Sequence, residues 1–347
     1  MTVARPVHAE PLVALRYESE CLWAIDQTLL PWQEEEVGLR SSADVAEAIR
    51  RLAIRGAPLI GVAAAYGVAL ELARDPRPEA LERASAELRG ARPTAINLSW
   101  AVDRVRGAVH GGAGRIGLAA AALREARAIH AQEEASSAAM GDHGAALLAG
   151  TRRVLTHCNT GALAAPGRGT ALSVVATLAD RGGLERVLAC EARPLLQGAR
   201  LTVYELARLG IPHELVVDAA APGLIAAGAV EAVVVGCDRI AANGDVANKV
   251  GTYGLALAAR AAGIPFVVAG PTSSIDASLD TGAGIPIEER DADEVRRAGG
   301  ALLTVEGTPC RNPAFDVTPA ELITALVTER GEVRPVDRAG VAAVLAP

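Results

Sequence analysis

The chain has none of the local signatures that most directly announce a nucleotide, a catalytic serine or a metal. There is no G-x-x-x-x-G-K-S/T phosphate loop, no G-x-S-x-G nucleophile elbow and no H-E-x-x-H, so ATP-dependent, serine-hydrolase and zinc-peptidase chemistry lack their usual local support. Its cysteines, Cys21, Cys158, Cys190, Cys237 and Cys310, are scattered. Without the short paired spacing of a zinc ribbon or redox centre they are expected to be free thiols, and neither a metal nor another cofactor is expected. The Ala-rich runs are interrupted by Arg, Glu or Gly, short of the roughly 20 apolar residues that cross a bilayer. The opening MTVARPVHAE has no basic start, apolar run and cleavage site, so a cytoplasmic protein without a membrane role is expected. A formal charge of −7 disfavours a nucleic-acid footprint and leaves room for a local pocket for a small anion.

What is present is a globular composition, 50% hydrophobic and 22% charged, over 347 residues, a length that suggests two domains. SSADVAEAIR and the long segment from Ile116 to Gly150 carry apolar residues at helical spacing. Ser41 or Ser42 can cap a helix running through Ile54, which RGAP should then stop. From Val154 the pattern changes to short apolar runs, VLTHC, RVLACE, ELVVD, EAVVVGCD and IPFVVAG, separated by helical stretches. That alternation predicts a parallel sheet with crossover helices. The expected architecture is α/β: a mainly helical N-terminal domain over residues 1–140 and a doubly wound, mostly parallel, Rossmann-like domain over 141–347. EVRRAGG, ALLTV, NPAFDVTPAELITALVTERG and EVRPV read as further sheet elements and a helix.

Two features mislead. Gly112, Gly114 and Gly117 have the spacing G-x-G-x-x-G, but RVRGAVH before them lacks a buried-strand pattern, so a glycine-rich turn before a helix is expected and not a dinucleotide site. His157 stands beside Cys158, yet neighbours in a strand point to opposite faces, which suits His157 to a core or supporting role.

The expected strand ends place Cys158, Glu191, Asp218, Asp238 and Gly270 along one sheet edge, where open α/β sheets bind ligands. In HCNTG, Cys158 precedes a polar turn, an unusual place for a packing thiol. In GCDRIAANGDVANKVGTYG, Asp238 lies in a dense polar cluster; Arg239 can set its electrostatic environment, while burial would keep it protonated as a general acid. Asn248 and Lys249 are expected near the start of the following helix, offering an amide and a cation to substrate oxygens. Arg55 in RGAP and Arg92 in ARPTAINLSW can complete an anion pocket from the N-terminal side, and Gln197 can serve a hydroxyl or phosphate.

Taken together, RGAPLIG, ARPTAINLSWAVDR, HCNTGALA, EARPLLQGARLTVYEL, GCDRIAANGDVANKVGTYG, GPTSSID and GIPIEER resemble the methylthioribose-1-phosphate isomerase family, related in fold to the regulatory subunits of a translation-initiation exchange factor. The resemblance spans almost the whole chain. It implies that Cys158 and Asp238 are the catalytic pair and that Arg55, Gly56, Ala57, Arg92, Gln197, Asn248 and Lys249 contact substrate. It also implies a homodimer and the conversion of 5-methylthioribose 1-phosphate to 5-methylthioribulose 1-phosphate in methionine salvage. Ala192, Cys237 and Arg168 depart from the commonest family wording, which keeps 5-deoxyribose 1-phosphate and ribose 1,5-bisphosphate open as substrates. A noncatalytic translation-regulatory module on the same fold is the alternative of a different class.

Overall fold

The computed structural model describes residues 12–92 and 94–346, those of 112–116 by backbone alone. The first described part opens with strands where the sequence pattern suggests helix: β1 (Leu15–Glu18), β2 (Cys21–Ile25) and β3 (Glu36–Leu39) form an antiparallel sheet. Its first hairpin turns through Ser19 and Glu20, both left-handed at φ 51° and 56°, the geometry of a tight hairpin turn without the Asn or Gly that usually marks it.

Helices follow: α1 (Ser42–Arg50), α2 (Ala57–Arg74), α3 (Pro78–Ala91), α4 (Ile96–Ile116) and α5 (Leu118–Leu147). Ser41 is the cap of α1, its hydroxyl accepting from the Asp44 amide at 3.1 Å. The helix stops at Arg50, short of the expected Ile54, because Leu52 turns left-handed at φ 64°. Pro58 sits in the first turn of α2, where its missing N–H costs nothing. By length and composition α2 is apolar enough to cross a membrane, but 83% of it is buried inside the protein, with α4 and α5 packed along it. A helix that is apolar all round is explained by such enclosure. Gly112 and Gly114 lie within the end of α4 and only Gly117 stands between α4 and α5, so the expected glycine-rich turn is reduced to that one residue, and no strand immediately precedes it. Helix α5 runs through the boundary expected after residue 140.

The second part is a seven-stranded sheet. Its strands are β4 (Arg153–Thr156), β5 (Arg186–Cys190), β6 (His213–Val216), β7 (Ala232–Val235), β10 (Phe266–Ala269), β15 (Ala325–Thr328) and β16 (Gly331–Val333), in the order β16-β15-β10-β7-β4-β5-β6. All neighbours pair in parallel except β15 with β16. The crossovers carry α6 (Ala171–Asp180), α7 (Val203–Arg208), α8 (Ala221–Ala226) and α9 (Thr252–Ala262). Fully buried runs such as AVVV in β7 and FVVA in β10 are what a sheet covered on both faces demands.

Beside it stands a smaller sheet of β8 (Arg239–Ala241), β9 (Val246–Lys249), β11 (Ile275–Asp276) and β14 (Phe315–Thr318), ordered β11-β8-β9-β14. The expected ALLTV strand is only the two-residue β13 (Ala301–Leu302), paired with β12 (Arg297–Ala298). NPAFDVTPAELITALVTERG contains two strands and a single 3-10 turn (Ala320–Leu322) in place of a full helix, and the chain's last helix lies beyond it at Arg338–Leu345.

Candidate active site

The large sheet reverses its winding between β4 and β7. The chain proceeds from β4 outward through β5 and β6 on one side, and from β7 through β10 and β15 on the other. A crevice opens beyond the carboxyl ends of the strands at such a switch point. Cys158 follows the end of β4 and Asp238 follows the end of β7, so the two expected reacting groups flank it from positions 80 residues apart in sequence.

Both line one open cleft, and so do Arg55, Gly56, Ala57, Arg92, Gln197, Asn248 and Lys249. The structure therefore brings together every expected site residue. It adds Asn159, Thr160, Thr170, Arg290 and Phe315, none of which the sequence reading had assigned a role. Asn159 and Thr160 belong to the HCNTG turn and Arg290 ends GIPIEER, motifs that carry no signal of which side chains they meet.

The cleft wall is an interlock between the two parts of the chain. Arg55 donates to the side-chain oxygen of Asn159 through Nη1 and to its main-chain oxygen through Nη2 at 3.1 Å. The Gln27 amide donates to the Leu163 carbonyl at 2.8 Å, and the Leu59 N–H to that of Ala164 at 3.0 Å. Cys158 adopts φ 63°, a conformation a β-carbon normally avoids. Its carbonyl accepts the Thr202 hydroxyl at 2.6 Å from the wide π-helical turn Gly198–Thr202 that follows Gln197.

Asn248 and Lys249 differ from expectation in their element: they end β9, three residues before α9. The hairpin of β8 and β9 explains how they reach the site. The Asp238 N–H donates to the Ala247 carbonyl at 2.9 Å, folding Asn248 and Lys249 back beside the carboxylate. Lys249 is the sole lysine of the chain. It is buried, with its Nζ 5.9 Å from the centre of the Phe315 ring, and among the described residues no carboxylate lies within ion-pair distance of it.

Arg239 does not act as anticipated. It donates to the Thr94 carbonyl and lies 3.5 Å from Asp276, tying the two parts together. Burial raises the pKa of Asp238, against the opposing pull of Lys249, Arg92 and Arg55. Arg92 is itself paired with Glu288 at 3.1 Å, and Arg290 with Glu288 at 2.8 Å and with Glu294 at 2.5 Å. Gln197 Oε1 and Thr160 Oγ1 are buried without a hydrogen-bond partner. Unsatisfied polar atoms of this kind are costly unless a ligand or water meets them.

His157, Cys190 and Asp218 bring three potential metal-donor atoms within 4.8 Å of one another. Two of them already have other partners. Asp218 accepts the Ala192 and Arg193 N–H groups at 2.8 and 2.7 Å, and His157 Nε2 donates to the Val250 carbonyl at 2.9 Å. This matches the supporting role expected of His157, whose protonated form burial disfavours.

Residues 53–335 match the initiation factor 2 subunit family. The chain belongs to that family. Within it, the chain is 51% identical to a methylthioribose-1-phosphate isomerase of Anaeromyxobacter sp. (strain K) over 336 residues, 96% of this chain and 97% of the relative. It is 48% identical to a 5-deoxyribose 1-phosphate isomerase of Moorella thermoacetica over 345 residues, 97% of this chain and 98% of that one. Among solved structures, a 5-methylthioribose 1-phosphate isomerase from Pyrococcus horikoshii OT3 superposes with a TM-score of 0.89 at 39% identity, covering 98% of each chain. A protein from A. fulgidus named as translation initiation factor eIF-2B, subunit delta, gives 0.84 at 38% identity, covering 96% of this chain and 99% of its own. The motif resemblance to the isomerases thus extends to the chain as a whole.

Proposed function

We propose that this protein is an aldose-ketose isomerase that converts 5-methylthioribose 1-phosphate to 5-methylthioribulose 1-phosphate in methionine salvage. The observation that carries the reading is the meeting of Cys158 and Asp238 at the switch-point crevice with Arg55, Arg92 and Lys249 around them, in a chain about half identical to named isomerases. Phosphate on the anomeric oxygen bars the ordinary route through a free aldehyde, so the ring must open with the phosphate attached. Asp238, whose pKa burial raises, donates to the ring oxygen as general acid. Cys158 as general base takes the C2 proton and returns it to C1 through an enol phosphate, while the Asp238 carboxylate recovers a proton from the C2 hydroxyl. The cations and the Asn248 and Gln197 amides hold the phosphate and hydroxyls in place. A direct hydride shift from C2 to C1 is the mechanistic alternative.

The balance of charge in the cleft favours the methylthio sugar over ribose 1,5-bisphosphate. Arg92 and Arg290 are already met by Glu288 and Glu294, which leaves little uncommitted positive charge for a second phosphate. Leu52, Pro58, Leu195 and Phe315 give the cleft an apolar side suited to a thioether. 5-Deoxyribose 1-phosphate is the second reading, favoured by the Moorella relative. Turnover of the three sugars under matched conditions decides: a higher kcat/KM for either competitor sinks the methylthio assignment. If no sugar phosphate is isomerised while translation-factor subunits bind specifically, the translation-regulatory reading replaces the enzyme.

In this reading residues 1–140 supply substrate contacts and 141–347 the reacting pair, with α5 spanning the division, and the enzyme works as a cytoplasmic homodimer. A monomer across a broad concentration range in sedimentation would refute the dimer.

A further inference from the structure

Glu205 on α7 is a buried carboxylate that the chemistry above does not use. It is 4% exposed and does not line the cleft. Three donors converge on it: the Ala162 N–H at 2.6 Å, the Leu163 N–H at 3.4 Å and the side-chain amide of Asn159 at 2.7 Å. It lies so close under the loop that a Cβ at Gly161 would stand 2.1 Å from its Oε2, so only glycine fits there.

The Asn159 contact has a directional consequence. An asparagine amide is nearly symmetric in shape, and its partners decide which end is oxygen and which is nitrogen. A carboxylate accepts only, so Glu205 draws the Asn159 nitrogen toward itself and turns the oxygen toward Arg55. Reversed, the amide would present N–H groups to the guanidinium, which also has only donors. The Asn159 main-chain oxygen takes the second Arg55 nitrogen at 3.1 Å, so both guanidinium contacts hang on this one residue.

We infer that Glu205 is a positioning residue which, through the orientation of the Asn159 amide, aims Arg55 at the substrate phosphate. The inference rests on the reading that Arg55 meets phosphate. Burial pushes the Glu205 carboxyl up to about 6 against the pull of its hydrogen bonds and of Arg55, so above that pH the accepting form prevails. Glutamine cannot replace it, because all three partners are donors and an amide must set its own N–H against at least one of them.

The test is a double-mutant cycle read on inorganic phosphate binding by calorimetry and on the kinetics of the isomerase. Glu205→Gln is expected to weaken phosphate binding and raise KM by about 10-fold, with the effect on KM exceeding that on kcat, since phosphate charge is held alike in ground and transition states. In an Arg55→Ala background the same change is expected to cost less than about 2-fold, since the group it aims is gone. Full additivity, or unchanged phosphate affinity in Glu205→Gln, overturns the inference by reducing Glu205 to a loop support. Should Glu205→Gln fail to fold, Asn159→Ala enters the same cycle while leaving the Ala162 and Leu163 hydrogen bonds in place, and additivity there is equally fatal. Phosphate binding needs no turnover: a non-additive cycle in a protein that does not isomerise the methylthio sugar rejects the substrate and retains the positioning. Arg55→Ala without effect on phosphate rejects both.

Discussion

Gly56 lies against Ala164 so closely that a Cβ at Gly56 would stand 2.4 Å from the Ala164 Cα, and its φ of 97° is one that a side chain rarely adopts. Contact and conformation both disfavour substitution where the N-terminal part meets the loop after β4 that carries Cys158 and Ala164. Gly56→Ala should therefore lower kcat/KM by at least about 10-fold, roughly 1.4 kcal/mol of transition-state binding, and lower the melting temperature. Gly90→Ala is the control, since Gly90 lies within α3 with open space around its Cβ position. It should stabilise by about 0.5–1 kcal/mol in denaturant titration and leave turnover alone.

Cys158→Ser keeps the size of the side chain and exchanges a thiol for a far less acidic hydroxyl; Asp238→Asn keeps the shape and loses the proton. Each should reduce kcat by about 10²-fold or more with substrate affinity near that of the parent. Near-parent turnover at saturation in both correctly folded variants would remove the pair from the chemistry. Isotope tracking separates the two routes: solvent hydrogen at C1 supports enolisation.

The raised pKa of Asp238 also predicts a trade between activity and stability. A carboxyl whose folded pKa lies above its unfolded one contributes stability below the unfolded value, and loses that contribution as pH rises through the folded value. At neutral pH and above, Asp238→Asn should melt higher than the parent while turning over far more slowly; near pH 3 the difference in melting should vanish. A variant that melts lower at pH 8 contradicts the assignment of burial as the dominant cause.

Glu133 on α5 gives the same sign away from the chemistry. Burial pushes its carboxyl up to about 7, against the hydrogen bond from Ser273, while an unfolded glutamate titrates near 4.3. Its contribution to stability is thus complete below about pH 4 and fades as pH rises through 7. Glu133→Gln should flatten the fall in melting temperature between about pH 5 and 8, measured at constant ionic strength. An unaltered profile would show that the carboxyl is not the group titrating there.

The sheet was legible because parallel strands buried on both faces read as uninterrupted apolar runs, AVVV in β7 and FVVA in β10. Once the strand ends were placed, Cys158 and Asp238 followed. The N-terminal sheet was not legible: β1 to β3 are four or five residues long, and the Ser19 and Glu20 turn carries no glycine. Partner choice was equally hidden. Arg239 adjoins Asp238 in sequence yet pairs with Asp276, while the cations acting on Asp238 come from Arg55, Arg92 and Lys249. Glu205 belongs to EARPLLQGARLTVYEL, but only the return of α7 beneath the loop after β4 shows what its carboxylate faces.

The solitary lysine turns the cleft into its own unfolding reporter. A protease that cuts only after lysine has one address in the chain, the bond from Lys249 to Val250, and Lys249 ends a fully buried strand. Fraying of the surface leaves that bond beyond reach. A cut requires β9 to leave both β8 and β14, and it divides the chain once, separating Cys158 and Asp238 from Arg290 and Phe315. The rate of that single nick, compared with and without a bound phosphate ester, measures how far ligand holds the site closed, without any label or added probe.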